Sequence, residues 1–419
     1  MRPSPLLTSR VAVGCALLAA AACGKDTTAP SKATSLTVSV TGTITGKVNA
    51  AVTPTPTFTV LDEKGNAMAN VPVTVSVTGG GTVAGVAKAS GGGATPVGTW
   101  TLGGTPGTNT LTVTAAGLTP VTITATARPA YYVDLRFFGP TIDPVIQTAF
   151  TSAKARIEAM ITTSQADAAV SGLSIDACDV TGGGSLTETI DDIIIYATVK
   201  PIDGAGKVIG SSAPCYVRTS GGLPLVAVMS FDVADFQNLQ ADGRLPDVVL
   251  HEMLHAVGVG TLWNGKGQVA FRTTDSSQFI GPQAVQGCLF HGGAAKCPGN
   301  VPVENTGVVA GGTRDVHWRE TTFRTELMTG FVSAAGTPNP LSRITIASLA
   351  DIGYQVNLGV ADTYTVPALF AASAQLLGGA TGHPPLELIE PLRAPIGAVD
   401  AKGRVTRLSA RWQIGRAHV

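Results

Sequence analysis

The chain has 419 residues, enough for two or three domains with cores of their own. Only 13% of residues are charged, and 28 basic residues balance 28 acidic ones, with no basic run. That balance argues against a nucleic-acid binder, and 50 glycines among abundant Thr, Val and Ala point to β-rich structure with many turns.

Residues 1–22 have the layout of a signal peptide. Arg2 and Arg10 supply positive charge, and Val11 to Ala22 is apolar but too short for a stable membrane span. The stretch ends in Ala20-Ala21-Ala22-Cys23, which resembles a bacterial lipoprotein signal, with Cys23 as the lipidated residue. Leu is more usual where Ala20 stands, so ordinary signal-peptide cleavage nearby is the alternative. The expected location is the cell surface or outer membrane, or else secretion. Residues 23–34 read as a polar tether.

Cys15 and Cys23 belong to this signal, leaving Cys178, Cys215, Cys288 and Cys297. An even number in an exported chain suggests two disulfides, for which three pairings exist. Cys178–Cys215 and Cys288–Cys297 are favoured, because each brackets a local segment. The wide, irregular spacing lacks any C-x-x-C and argues against a cysteine metal site.

Residues 35–127 carry short alternating runs: Leu36, Val38 and Val40; Phe58 and Val60; Val73, Val75 and Val77; Trp100 and Leu102; Leu111 and Val113; Val121, Ile123 and Ala125. Turn signals such as Gly79-Gly80-Gly81 and Thr105-Pro106-Gly107 separate them. Six or seven short strands predict an all-β, Ig-like sandwich. The stretch from Phe58 to Val73 resembles the bacterial Ig-like modules of invasin and intimin-type surface proteins. That resemblance implies a spacer, with cell adhesion as the less favoured role. The glycine clusters are not phosphate loops, since no Lys follows them.

Composition changes after Arg128-Pro129-Ala130, a linker, and residues 131–356 read as an α+β domain. Residues 131–138 alternate as a strand. Asp143-Pro144 caps a helix whose apolar stripe, Ile146, Phe150, Ala153, Ile157 and Met160, runs to about Thr162. Strands follow at residues 193–199 and 225–231.

Then comes His251-Glu252-Met253-Leu254-His255-Ala256-Val257-Gly258, the pattern H-E-x-x-H-x-x-G. On a helix, His251 and His255 share one face and can point two imidazoles at one zinc ion, with Glu252 beside a bound water. Pro246 and Asp247 suit the helix start, and Gly258 lets the chain turn away. The bland alternative is an amphipathic helix carrying two histidines by chance.

Zinc needs a third protein ligand. The six histidines are His251, His255, His291, His317, His383 and His418. In the common metzincin pattern a third His lies six residues after the second, where this chain has Thr261. Downstream, His317-Trp318-Arg319-Glu320 precedes Thr325-Glu326-Leu327-Met328-Thr329-Gly330, and Leu341 to Tyr354 ends in Asp351-Ile352-Gly353-Tyr354. These motifs, in this order, resemble the leishmanolysin family of metzincin peptidases, in which a long insert precedes the third His.

The resemblance covers roughly residues 131–356. It implies an α+β metzincin-type domain with His251, His255 and His317 as metal ligands. It also implies Glu252 as catalytic base and Met328 in a Met-turn beneath one catalytic Zn2+. His291, in a Gly-rich loop beside Cys288 and Cys297, is the rival ligand, though a loop histidine is more often solvent-facing or substrate-contacting. No pro-region with a cysteine switch is visible; an Ig-like module stands in its place.

Gly260 to Gly267 has a G-x4-G-K skeleton but lacks the final Ser or Thr and follows a helix, so it is no nucleotide site. No G-x-S-x-G supports serine hydrolysis. Residues 357–419 form a Gly/Ala/Pro-rich tail in which residues 398–408 suggest a strand pair. The last six, from Ile414, look like a translated adapter, so a truncated natural chain is expected and His418 carries no meaning. The expected function is an exported zinc endopeptidase acting on proteins or peptides and reaching the membrane through its lipid anchor, with no nucleic-acid partner. The competing expectation is an adhesion or scaffold protein with an inactive peptidase domain, against which the intact Glu252 argues.

Overall fold

Ten strands are cut from residues 33–128 by glycine-rich turns. The computed structural model describes residues 31–270, 276–306, 313–367, 385–388, 391–408 and 412. The predicted signal with Cys23, His383, His418 and the terminal six residues lie outside this set. Strands β1 (Ala33–Val38), β2 (Ile44–Lys47), β3 (Thr57–Asp62), β4 (Ala69–Val77), β5 (Thr82–Ala84), β6 (Ala89–Gly91), β7 (Thr95–Pro96), β8 (Thr99–Thr101), β9 (Gly107–Ala115) and β10 (Val121–Arg128) follow in order. One sheet runs β1-β3-β7 and another β2-β10-β9-β4-β6, with β5 and β8 paired separately.

Alternation directs Phe58 and Val60 of β3, Leu111 and Val113 of β9, and Ile123 and Ala125 of β10 into one core around buried Trp100. The strands outnumber the apolar runs because the turn at Gly79–Gly81 and the bend at Gly91–Gly93 split them further.

The remaining described residues build a second core on one face, and a smaller cluster on the other, of a six-stranded sheet. Its members are β11 (Val133–Phe137), β14 (Ile193–Lys200), β15 (Gly210–Arg218), β16 (Pro224–Asp232), β22 (Gly397–Val399) and β23 (Val405–Thr406), in the order β11-β14-β16-β15-β22-β23. β11, β14 and β16 are parallel, and β15 is antiparallel to β16. β14, Ile-Ile-Ile-Tyr-Ala-Thr-Val-Lys, is apolar along nearly its whole length, as a strand covered on both faces must be.

One face carries α1 (Pro144–Met160), α2 (Val233–Ala241) and α3 (Leu245–Ala256), packed on Ile193, Ile195, Ala197, Met229 and Phe231. The other face, with Ile194, Tyr196 and Val226, is covered by the hairpin of β12 (Ala168–Ser174) and β13 (Ser185–Ile190). The Cys178–Cys215 disulfide ties that cover to β15. Beyond α3 come short strands β17 (Val269–Ala270) and β18 (Gln278–Phe279), then α4 (Pro282–Phe290) and β19 (Val301–Pro302). Next are α5 (Glu320–Phe323), β20 (Phe331–Val332), α6 (Arg343–Ile352) and β21 (Leu386–Glu387). The Cys288–Cys297 disulfide closes the end of α4.

The helix predicted from Asp143-Pro144 forms, and the Asp143 carboxylate accepts the Val145 N–H at 2.7 Å. It stops at Met160 rather than Thr162, because Ile161 is already extended and bridges to Val356. β15 has no counterpart in the sequence reading. It carries Pro214 mid-strand, tolerated where the register shifts between Pro214 and Tyr216. The tail pair suggested at residues 398–408 forms as β22 and β23, and β22 pairs in parallel with β15. Tyr364, Val366, Leu388 and Ala398 join the second core, which therefore extends past Val356.

The two cores meet at charged groups. Lys47 Nζ lies 2.5 Å from Asp191, Arg128 reaches the same carboxylate at 3.5 Å, and Arg128 and Lys154 both lie over the Tyr132 ring. Among the described residues no helix is long and apolar enough to cross a membrane.

Candidate metal centre

Helix α3 starts with Pro246 and Asp247 in its first turn; Asp247 accepts a hydrogen bond from Asn339 Nδ2 at 2.8 Å. From Val248 to Ala256 every residue is buried, so the helix presents its histidines to the protein interior and not to solvent. His251, Glu252, His255 and the distant His317 are all 0% exposed.

The structure brings the three predicted ligands together. His251 Nε2 lies 3.1 Å from His317 Nε2 and 3.1 Å from His255 Nε2, and His255 Nε2 lies 3.0 Å from His317 Nε2. Each ring is fixed from behind. His251 Nδ1 donates to the Leu327 carbonyl (2.7 Å), His255 Nδ1 to Val259 (2.8 Å) and His317 Nδ1 to Thr313 (3.0 Å). A carbonyl only accepts, so the ring proton sits on Nδ1 and all three Nε2 atoms present lone pairs to one another.

Three converging lone pairs repel unless a cation sits among them. A tetrahedral zinc with bonds of about 2.0–2.1 Å spaces its nitrogens by roughly 3.3 Å. The observed 3.0–3.1 Å is close to that spacing. Neutral imidazole nitrogens in a buried setting are also zinc's preferred donors. The residues therefore fit the ion that the sequence implies.

Two features bring His317 to the helix. Gly260, at φ +72°, meets the next segment so closely that a Cβ there would lie 2.1 Å from the Val316 carbonyl oxygen. Thr261, at the position where the shorter pattern has its third histidine, donates its hydroxyl to the His255 carbonyl at 2.7 Å. Trp318 then anchors the segment. Its ring packs on Trp263 and Phe279, its backbone N–H donates to the Met328 carbonyl at 2.9 Å, and it bridges Val303 and Thr329.

Met328 is fully buried in a turn whose preceding carbonyl, Leu327, orients His251. Glu326 holds that turn and is also fully buried. Its carboxylate accepts from Met328 N (2.6 Å), Ser342 N (3.1 Å), Ser342 Oγ (2.7 Å) and Thr345 Oγ1 (2.6 Å). Burial pushes the Glu326 carboxyl above its usual range, while these donors pull it down. Three residues beyond His317, burial pushes Glu320 up to about 7.

His291 lies apart from the cluster. It is 6% exposed; Nδ1 donates to the Tyr364 carbonyl at 2.8 Å, and Nε2 accepts the Arg343 N–H at 3.2 Å. Both nitrogens are used to fasten the start of α6, so this histidine is neither solvent-facing nor substrate-contacting. Sequence reading missed Gly260 and the clamp around Glu326. The Glu-Leu-Met run was visible, but Ser342 and Thr345 lie 16 and 19 residues away, with no periodic signal to connect them.

A buried set of three neutral imidazoles beside a helical carboxylate defines a site of the metal-dependent hydrolase class. The leishmanolysin peptidase family model matches residues 153–372, more than half of the 419-residue chain, and the chain belongs to that family. The family implies zinc metallopeptidase activity. No curated protein matches the chain.

Among solved structures, domains 4 and 5 of the S-layer protein SbsC are 22% identical over 22% of this chain and 50% of that one, with a TM-score of 0.18. This chain thus spans about half the length of that structure. Domains 5–6 of the same protein are 19% identical over 26% and 55%, at a TM-score of 0.18. A Parabacteroides merdae β-glucuronidase is 12% identical over 23% and 12%, at 0.17. Similarities of that size define neither fold nor function.

Proposed function

We propose that the chain is an exported zinc-dependent endopeptidase that hydrolyses peptide bonds in proteins, with His251, His255 and His317 holding the ion and Glu252 as general base. The observation that carries this reading is the convergence of three Nε2 lone pairs within 3.1 Å, two of them from the helix that also bears Glu252. When bound, zinc supplies a Lewis acid for the scissile carbonyl and for water. Glu252 takes a proton from the attacking water and returns it to the leaving amine nitrogen. The three backbone carbonyls hold the rings in one tautomer throughout. Met328 packs in the turn that sets the His251 ring.

Export is supported by two disulfides, which persist in oxidising compartments. In this reading Cys23 carries the lipid anchor and the N-terminal sandwich is an Ig-like spacer.

The test is cleavage of an unstructured protein by the full chain, with and without a zinc chelator, alongside Glu252→Ala. Chelation should abolish cleavage. Glu252→Ala should lower kcat at least about 100-fold while zinc stoichiometry stays at the wild-type value. A Glu252→Ala protein that cleaves at the wild-type rate would falsify the assignment. A folded, zinc-loaded wild type that cleaves nothing would favour the scaffold role.

A further inference from the structure

The bonding of the Glu326 carboxylate exceeds what a turn requires. A carboxylate offers about four acceptor positions; here three donors meet Oε1 and one meets Oε2. Two of the four can only donate. Met328 and Ser342 contribute backbone N–H groups. The Ser342 hydroxyl already accepts the Ile344 N–H (3.1 Å), and the Thr345 hydroxyl already accepts the Trp318 indole N–H (2.8 Å). With one lone pair of each hydroxyl already taken, its proton is directed at Glu326. Two obligate donors and two hydroxyl protons directed at one carboxyl group favour its anion, against the burial that disfavours it.

A fully buried anion is costly without an opposite charge, and Glu326 makes no ion pair among the described residues. The metal centre adjoins this carboxylate through its bonded neighbours. The carbonyl of Leu327, its neighbour in the chain, accepts the hydrogen bond of His251 Nδ1, and Thr345 links Glu326 to the indole of Trp318, the residue after His317. The three imidazoles are neutral, so a dication bound by them would bring its full charge into the interior.

We propose that Glu326 is the buried counter-charge and positioning residue of the metal centre, favouring a dication at the three neutral imidazoles while fixing the turn that orients His251. The proposal rests on the zinc reading above. It makes Glu326 part of the centre's electrostatics, where a purely structural role would make it only a staple between the turn and α6.

The test measures Zn2+ and Co2+ affinity of the full chain by competition with a chromogenic chelator, together with the visible absorption bands of the Co2+ form. Glu326→Gln, folded by circular dichroism, should weaken both ions about 10–100-fold and move the Co2+ bands. Glu326→Asp keeps the charge on a shorter arm and should stay much closer to wild type. Equal losses in Glu326→Gln and Glu326→Asp, or no loss in Glu326→Gln, overturn the counter-charge. If Glu326→Gln does not fold, Thr345→Val decides, since it retains the charge and removes one donor. It should leave affinity within about threefold and shift the Co2+ bands; unchanged bands or a larger loss overturn the proposal. A wild-type chain that binds neither ion overturns this proposal and the zinc reading together, whereas normal wild-type binding with an indifferent Glu326→Gln overturns this one alone.

Discussion

Each imidazole is held by a carbonyl from a different place: Leu327 in the turn, Val259 just past α3, and Thr313 ahead of His317. The precision of the centre therefore depends on backbone positions as well as on the histidines. Gly260, beside Val259, is a further backbone position that tolerates no substitution. Its positive φ and the 2.1 Å approach of a would-be Cβ to the Val316 carbonyl leave no room for a side chain. Gly260→Ala should cost about 2–4 kcal/mol and lower zinc stoichiometry, checked by denaturant unfolding and metal analysis. Unchanged stability and full zinc content would show that the approach is slack.

Glu320 gives a pH signature. Its folded pKa of about 7 lies above the ordinary 4.5, because burial disfavours its charged form. The folded state then binds more protons than the unfolded one between those values. Stability is present in full below about 4.5 and is lost as pH rises towards 7, by on the order of 2 kcal/mol. Glu320→Gln should match the wild type in urea at pH 5 and exceed it at pH 8. A wild type whose stability is flat over that range would contradict this.

At the scale of elements, what the sequence discloses depends on the distance over which the evidence acts. His251 and His255 are legible because four residues make one helical turn. The start of α1 is legible because Asp143-Pro144 is a local cap. His317 stands 62 residues from His255, and no periodicity spans that gap; only its resemblance to a family motif singled it out. β15 was illegible for a different reason. Gly210-Ser211-Ser212-Ala213-Pro214-Cys215 has no alternation, and the strand exists because β16 on one side and β22 on the other supply its hydrogen bonds.

The disulfides also act at this scale. Cys178–Cys215 closes a separation of 37 residues and Cys288–Cys297 one of 9. The chain-entropy estimate is about 4 kcal/mol for the first and about 2.5 kcal/mol for the second. Replacing the first pair by alanines should therefore lower unfolding free energy more than replacing the second. The reverse ranking in urea titrations would refute the entropic account for this chain.

Among the described residues the sandwich has one apolar cluster and the α+β region two, one on each face of its sheet, and the two regions join at a charged seam in which Lys47 and Arg128 of the sandwich share Asp191. The all-β character of the first was legible from alternation, and the α+β character of the second from its order of strands and helices. The limit of the second was not. Tyr364, Val366, Leu388 and Ala398 lie in a stretch rich in Gly, Ala and Pro, whose composition hides their role as core residues.

The pairing of β22 with β15 also sets a timetable. Arg218 finds its partner Val399 only when 181 further residues have been made. At about 5–20 residues per second, synthesis leaves that edge bare for roughly 10–40 s. Through this interval β15 offers unpaired backbone groups to any neighbouring strand. For a nascent chain the interval favours a holding chaperone, and it delays completion of the sheet on which the metal-binding helix rests.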